Sequence, residues 1–230
     1  KIRMVGTETG VGVRNAGAIG AQAGSVTISA DGRIENSGTV RAGDAASLQT
    51  ASELHNSGVI TAARDVRVNA ASLTGSQQSV LAAGVKSDGK LADAGDLEIS
   101  TSGQLSAHGQ TLAGGNLSAR GQGVDVSGSQ TQGKRVLLDG GAGDVSTASA
   151  KVNASEMTLR TGKLLNNAGG TLSAETMNLS AHDLSNQQGK IAHSGSGELA
   201  VDLPGNIDNQ QGQIGAANGV RLKPDKINNT

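Results

Sequence analysis

The stretch Leu184-Ser185-Asn186-Gln187-Gln188-Gly189-Lys190-Ile191 decides the fold. It reads apolar, any residue, Asn, two of any kind, Gly, any, apolar. The pattern returns at Leu165, Asn167, Gly170 and Leu172, and at Ile207, Asn209, Gly212 and Ile214. A version one residue shorter opens the chain: Val13, Asn15, Gly17, Ile19; then Ile34, Asn36, Gly38, Val40; then Leu54, Asn56, Gly58, Ile60. Six copies at a period of about twenty residues mark a repeat array, in which each unit packs only on its neighbours.

Between the Asn copies runs an apolar-x-apolar triplet: Val26-Thr27-Ile28, Val66-Arg67-Val68, Leu97-Glu98-Ile99, Leu117-Ser118-Ala119, Val136-Leu137-Leu138, Met157-Thr158-Leu159, Met177-Asn178-Leu179, Leu199-Ala200-Val201 and Val220-Arg221-Leu222, with a weaker copy at Ala46-Ser47-Leu48. Alternation of period two is strand patterning, and the Gly, Ser, Asn and Thr between the triplets supply turns, not helix caps. The last full repeat divides into strands Leu199 to Val201, Ile207 to Asn209 and Gln213 to Ala216. Three short strands cannot bury a face alone. Stacking each repeat on the next pairs every strand in parallel with its equivalent, about 4.8 Å along an axis. The expected fold is all-β: a single parallel β-helix over residues 1–230, right-handed because parallel crossovers are. About ten coils of about 20 residues, each with three short strands, give a rod on the order of 50 Å long.

The Asn stands two residues after an inward apolar residue, so it also points inward, at a corner. Stacked Asn side chains can hydrogen-bond to one another, and Asn15, Asn36, Asn56, Asn167, Asn186 and Asn209 are expected to form such a ladder. The corner glycines Gly17, Gly38, Gly58, Gly170, Gly189 and Gly212 then serve either positive φ or close backbone approach. In the middle of the chain the Asn slot holds Gly75, Ala107, Val126 and Thr147, so the ladder is expected to break there. The step from Val66 to Leu97 is oversized by about eleven residues. The surplus is placed at 82–93 as a protruding loop or hairpin, with Val85, Lys86, Asp88 and Lys90 as possible binding residues, because insertions in repeat arrays map to loops and loops carry function.

Composition agrees. The 230 residues include 35 Gly but no Phe, Tyr, Trp or Cys, and the net charge is −1. An interior without aromatics is thin and regular. Balanced charge argues against nucleic acid or an anionic membrane as a partner. The lack of Cys removes disulfides, Cys-ligated zinc and thiol catalysis. No apolar run approaches the length of a membrane span. The chain begins at Lys1 and shows no signal peptide, which reads as an internal fragment.

Candidate chemistry is sparse. Asp125, Asp139 and Asp144 lie in neighbouring coils, and polysaccharide-cleaving β-helices use clustered carboxylates, but such sites also want aromatic platforms. Gly140-Gly141-Ala142-Gly143-Asp144 looks like a shortened calcium nonapeptide, single and one residue short, so a Gly-rich turn is the better reading. His55, His108, His182 and His193 share no ligand spacing and are expected at the surface. The tripeptides at Asn153, Asn178 and Asn228 match a glycosylation acceptor only as often as chance allows. No catalytic residue, metal or cofactor is assigned.

The alternation of apolar-x-Asn-x-x-Gly-x-apolar with apolar-x-apolar resembles the haemagglutinin repeats of filamentous haemagglutinin-like exoproteins, the adhesins and contact-dependent growth-inhibition proteins exported by two-partner secretion in Gram-negative bacteria. The opening Val5-Gly6-Thr7-Glu8 and Gly12-Val13-Arg14-Asn15-Ala16-Gly17 resembles the segment just after the family's secretion domain. The resemblance implies a secreted rod at the cell surface, an outer-membrane transporter as partner during export, and a receptor or glycan on a host or target cell. It implies no enzyme here; any toxin would lie beyond this segment. A carbohydrate-binding or polysaccharide-cleaving β-helix is the alternative. Open parallel edges at both ends are expected to associate end to end or to fray.

Overall fold

The computed structural model describes residues 1–230. It is a solenoid of parallel strands with no helix. Each coil runs through three faces. The coil at Val26–Ala42 shows the plan: a first strand Val26–Ala30, a second Arg33–Asn36 and a third Thr39–Ala42. Strands of the second face stack continuously through eleven coils, from Val11–Asn15 to Lys226–Asn228. The triplets count one fewer because Ile2-Arg3-Met4 opens the first-face column, with Ile2 opposite Val26 and Met4 opposite Ile28.

Alternation sets which side chains enter the tube. On the first face Val26, Ala46, Val66, Leu97, Leu117, Val136, Met157 and Met177 stack in register. On the second face Val13, Ile34, Leu54, Leu73, Leu105, Val124, Val145, Leu165, Leu184 and Ile207 do the same. These columns belong to one core of 47 buried apolar residues. Ile227 is opposite Ile207 in the inward column but is 49% exposed, since no coil of this segment follows it.

The third face closes all but one of these coils with a small inward residue. Ala21, Ala42, Ala62, Ala83 and Ala113 are in register, and later coils place Ala154, Ala174, His193 and Ala216 in the same slot. Alanine there lets the backbone turn sharply into the next coil. Two coils omit this corner: Lys151–Arg160 and Thr171–Ser180 are single ten-residue strands spanning the third and first faces. Their corner residues, Ala154-Ser155 and Ala174-Glu175, lack the Gly found at Gly43, Gly114 and Gly133. The expectation of three separate strands per coil therefore gives way in these two.

One coil carries an excursion. Ala82 and Ala83 are buried within the strand Val80–Ala83, so the departure begins at Gly84, two residues later than expected, and returns at Asp96. Ala-Ala reads equally well as strand or loop, which is why the sequence places the boundary early. The excursion is a hairpin: Val85 and Leu91 form an antiparallel bridge, Lys86 N–H donates to Lys90 O at 2.8 Å, and Gly89 turns the tip at φ +81°. Ala82 points outward by alternation but is only 2% exposed. Ser87 at the tip shares a groove with Gly20, Gln22 and Arg41, so the hairpin lies back along the rod toward the first coils.

Candidate functional site

At the corner between the second and third faces, Asn15 Nδ2 donates to Asn36 Oδ1 and Asn36 Nδ2 to Asn56 Oδ1, each at 2.8 Å. Asn56 is followed in register by Gly75, and its amide turns to Val80 O at 3.2 Å. A second run starts with Thr147 Oγ1 donating to Asn167 Oδ1 at 2.8 Å. It continues from Asn167 to Asn186 at 2.7 Å, from Asn186 to Asn209 at 2.6 Å, and from Asn209 to Asn229 at 2.6 Å. Asn uniquely suits this slot, because its amide donates up the axis while its carbonyl accepts from below. Thr147, placed in the break by the sequence, instead heads the second run because its hydroxyl donates to Asn167, and Asn229 joins that run without having been singled out. Asn229 was findable, since Ile227-Asn228-Asn229 is another apolar-x-Asn. Between the runs, buried hydroxyls take over: Ser79 Oγ donates to Ser76 O at 2.7 Å, and Ser129 and Thr131 pair at 2.9 Å.

The corner glycines work by close approach. None of Gly17, Gly38, Gly58, Gly170, Gly189 and Gly212 has positive φ. A Cβ on Gly189 would run into Asn167 O and Asn186 Oδ1, and one on Gly212 into Asn186 O and Asn209 Oδ1. Gly38 and Gly58 face the carbonyls of Gly17 and Gly38 in the coil before, and Gly170 that of Thr147. Gly17, in the first coil, meets nothing. In the longer turns the left-handed residue is the one before the glycine: Gly169, Gln188 and Gln211 at φ +64°, +55° and +54°.

The acidic candidates do not converge. Asp125 is on the second face, where Oδ1 accepts Ser127 N–H at 2.9 Å and the Ser127 hydroxyl at 2.5 Å. Asp139 closes a first-face strand and pairs with Arg160, and that guanidinium's hydrogen bond holds its carboxyl below the usual range against the opposing effect of burial. Asp144 Oδ1 accepts Leu164 N–H at 3.2 Å, so the Gly140–Asp144 stretch is a turn tied to the next coil. No group of three His, Asp or Glu side chains gathers at metal-binding distance.

Of the histidines, His55 and His108 are half-buried and His182 is exposed beside Asp183 at 2.9 Å. Asp183 is held below its usual range, first by the Asn206 N–H and then by His182. His193 corrects the expectation of a surface residue: it occupies the inward alanine slot at 7% exposure, and its Nδ1 has no partner. The alternation Ile191-Ala192-His193 was the signal. His108 Nδ1 lies 2.9 Å from Ser127 O and its Nε2 3.9 Å from Asp125 Oδ2, while Ser127 Oγ sits 2.8 Å from Ser146 Oγ. Ser127 hydrogen-bonds Asp125 and not the imidazole, so this outward cluster ties coils together and presents no activated nucleophile.

Haemagglutinin-repeat models match residues 5–38, 21–98, 91–154, 140–203 and 205–230. The chain belongs to the haemagglutinin-repeat family. Over 93% of its length it is 38% identical to a protein named Toxin CdiA from Yersinia pestis, and over 67% it is 32% identical to one named tRNA nuclease CdiA-2 from Burkholderia pseudomallei. The repeats of this segment span only 7% and 6% of those relatives. No solved structure matches the chain. The six Asn and six Gly of the repeat fall at the same corner of successive coils, and Val85, Lys86, Asp88 and Lys90 fall together on the hairpin.

Proposed function

We propose that this segment is a structural and adhesive piece of the shaft of a large exoprotein of Gram-negative bacteria, an adhesin or a contact-dependent growth-inhibition protein. The observation that supports it is the unbroken second-face register through eleven haemagglutinin-repeat coils, which makes a rod able to hold a distal part away from a surface. Export by two-partner secretion through an outer-membrane transporter fits a chain with no Cys, near-zero net charge and coils that each template the next. The haemagglutinin-repeat region is a structural segment, and the nuclease named in one relative is a property of that longer protein. The polar hairpin tip, with Lys86, Asp88 and Lys90 exposed, is the element offered to a host or target cell.

The test is binding of the purified segment to intact host and bacterial cells, beside a variant in which 84–96 is replaced by the Gly-Asp-Ala corner of 43–45. Binding that the replacement abolishes without unfolding the rod supports an adhesive segment. Absence of binding by the unaltered segment reduces it to a spacer.

A further inference from the structure

Beside the hairpin the corner between the third and first faces recedes. Two adjoining hollows of about 590 and 480 Å³ share Asp93, Lys134 and Ser155, and form one trough across it. One wall is the returning limb of the hairpin, Leu91 to Asp96. The opposite wall is the uninterrupted strand Lys151–Arg160. The floor is backbone at Gly114, Gly115 and Gly133, where two coils turn without side chains. The trough therefore exists because two irregularities of the repeat, an insertion and a lost corner, fall on either side of two glycine corners.

Its polar groups divide into two sets. Arg135 is paired with Glu156 at 3.0 Å, and Asp96 Oδ1 accepts Asn116 N–H at 2.8 Å. Asp93, Gln132, Lys134 and Asn153 make no side-chain hydrogen bond or ion pair within the protein. Gln132 and Asn153 are register partners on adjacent coils, so their backbones stand about 4.8 Å apart and both residues line the same hollow. Leu91, Ala92, Ala113 and Ala154 add a small apolar surface. The lining sets Lys134 and Arg135 against Asp65, Asp93, Asp96 and Glu156, so the trough is acidic in sum and disfavours an anionic ligand, while Gln132, Asn153 and Ser155 add uncharged donors and acceptors. The hollow is within the size range of small-molecule sites, and its lining is more polar than most, which suits a ligand rich in hydroxyls.

We propose that this trough binds a neutral saccharide: the amides of Gln132 and Asn153 bracket one ring, Lys134 donates to its hydroxyls, Asp93 accepts from them, and the alanines and Leu91 meet its C–H face. This deepens the adhesive reading and rests on it for biological meaning, though not for the chemistry. The experiment is an array of neutral oligosaccharides ending in galactose, glucose, mannose or N-acetylglucosamine, probed with the intact segment. Positives are titrated by amide NMR, in which Ala92, Gly114, Gly133 and Ala154 should move. Lys134→Ala and Asn153→Ala, outside the hairpin and on exposed positions, are expected to weaken binding at least about tenfold each, while Ser29→Ala on the first face changes nothing. No binding across the array, binding indifferent to both trough variants, or binding confined to anionic glycans and lost in salt would each overturn the proposal. Sugar binding without cell binding leaves the trough standing and removes the adhesive reading. Cell binding that survives both trough variants, with no sugar bound, does the reverse.

Discussion

Thr147 Oγ1 donates to Asn167 Oδ1 at 2.8 Å, so a hydroxyl heads the second asparagine run. A hydroxyl can start a ladder because it need only donate; a middle rung must also accept. Asn186 is such a rung. It accepts from Asn167 and donates to Asn209, Gly189 O and Gln213 O while fully buried. Asn186→Ala leaves buried groups on both neighbouring coils unpaired and is expected to cost about 2–4 kcal/mol in urea unfolding. Asn186→Thr keeps a donor and should cost about half as much. Equal losses for the two would show that the ladder's hydrogen bonds contribute little.

The glycines separate position from composition. Gly189→Ala drives a methyl against Asn167 O of the preceding coil and Asn186 Oδ1 of its own, with no flexible side-chain end to yield at the carbonyl. The expected cost is about 1–3 kcal/mol. Gly17→Ala occupies the equivalent slot with nothing within reach, and should be neutral or slightly stabilising through the unfolded chain. Thermal melts of the two variants decide it, and the idea fails if they shift alike.

Much of this was legible because the interior is repetitive. Leu184-Ser185-Asn186 fixes an inward apolar residue and an inward amide in one reading, and a period of about twenty stacks both. What escaped the sequence depends on a single coil's neighbours. Ala82 and Ala83 look the same in strand and loop, and only the overlying hairpin shows which they are. Asp93, Gln132, Lys134 and Asn153 are ordinary surface residues until the insertion and the fused strand bring them around one hollow. Asp125, Asp139 and Asp144 are near in sequence, but Asp125 is on a second-face strand, Asp139 ends a first-face strand and Asp144 is in the turn between those faces.

Arg160 gives the rod an acid limb through Asp139, whose side chain is 13% exposed. Arg160's hydrogen bond is the largest influence, burial opposes it, and the Gly141 N–H adds to it, leaving the carboxyl below its usual range. A depressed carboxylate stabilises the fold above the unfolded value near ~4, and that stabilisation is lost as pH falls through the lower folded value. Asp139→Asn should therefore lower stability at neutral pH by about 0.5–1 kcal/mol, with Arg160 itself largely in solvent. The difference from the unaltered chain should shrink below pH ~4. A gap that stays constant down to pH 2 would assign the loss to packing instead.

His193 disturbs the coil that holds it. In a slot otherwise filled by alanine it is followed by the five-residue corner Ser194–Glu198, whereas Ala174 is followed only by Glu175 and Thr176. Across that corner the first face loses its pairing: Leu199 pairs forward with Val220, but Met177 has no strand partner on that side. An imidazole fills more of the tube than a methyl, and its Nδ1 is left unpartnered. Two consequences follow for amide exchange. Met177 and Leu179 should exchange faster than Met157 and Leu159, whose strand is paired on both sides. In a variant combining His193→Ala with the corner cut to two residues, Met177 and Leu179 should become as slow as their counterparts, and the melting temperature should rise. Equal exchange at all four positions in the unaltered chain would mean that the first face is continuous in solution and that His193 is accommodated without cost.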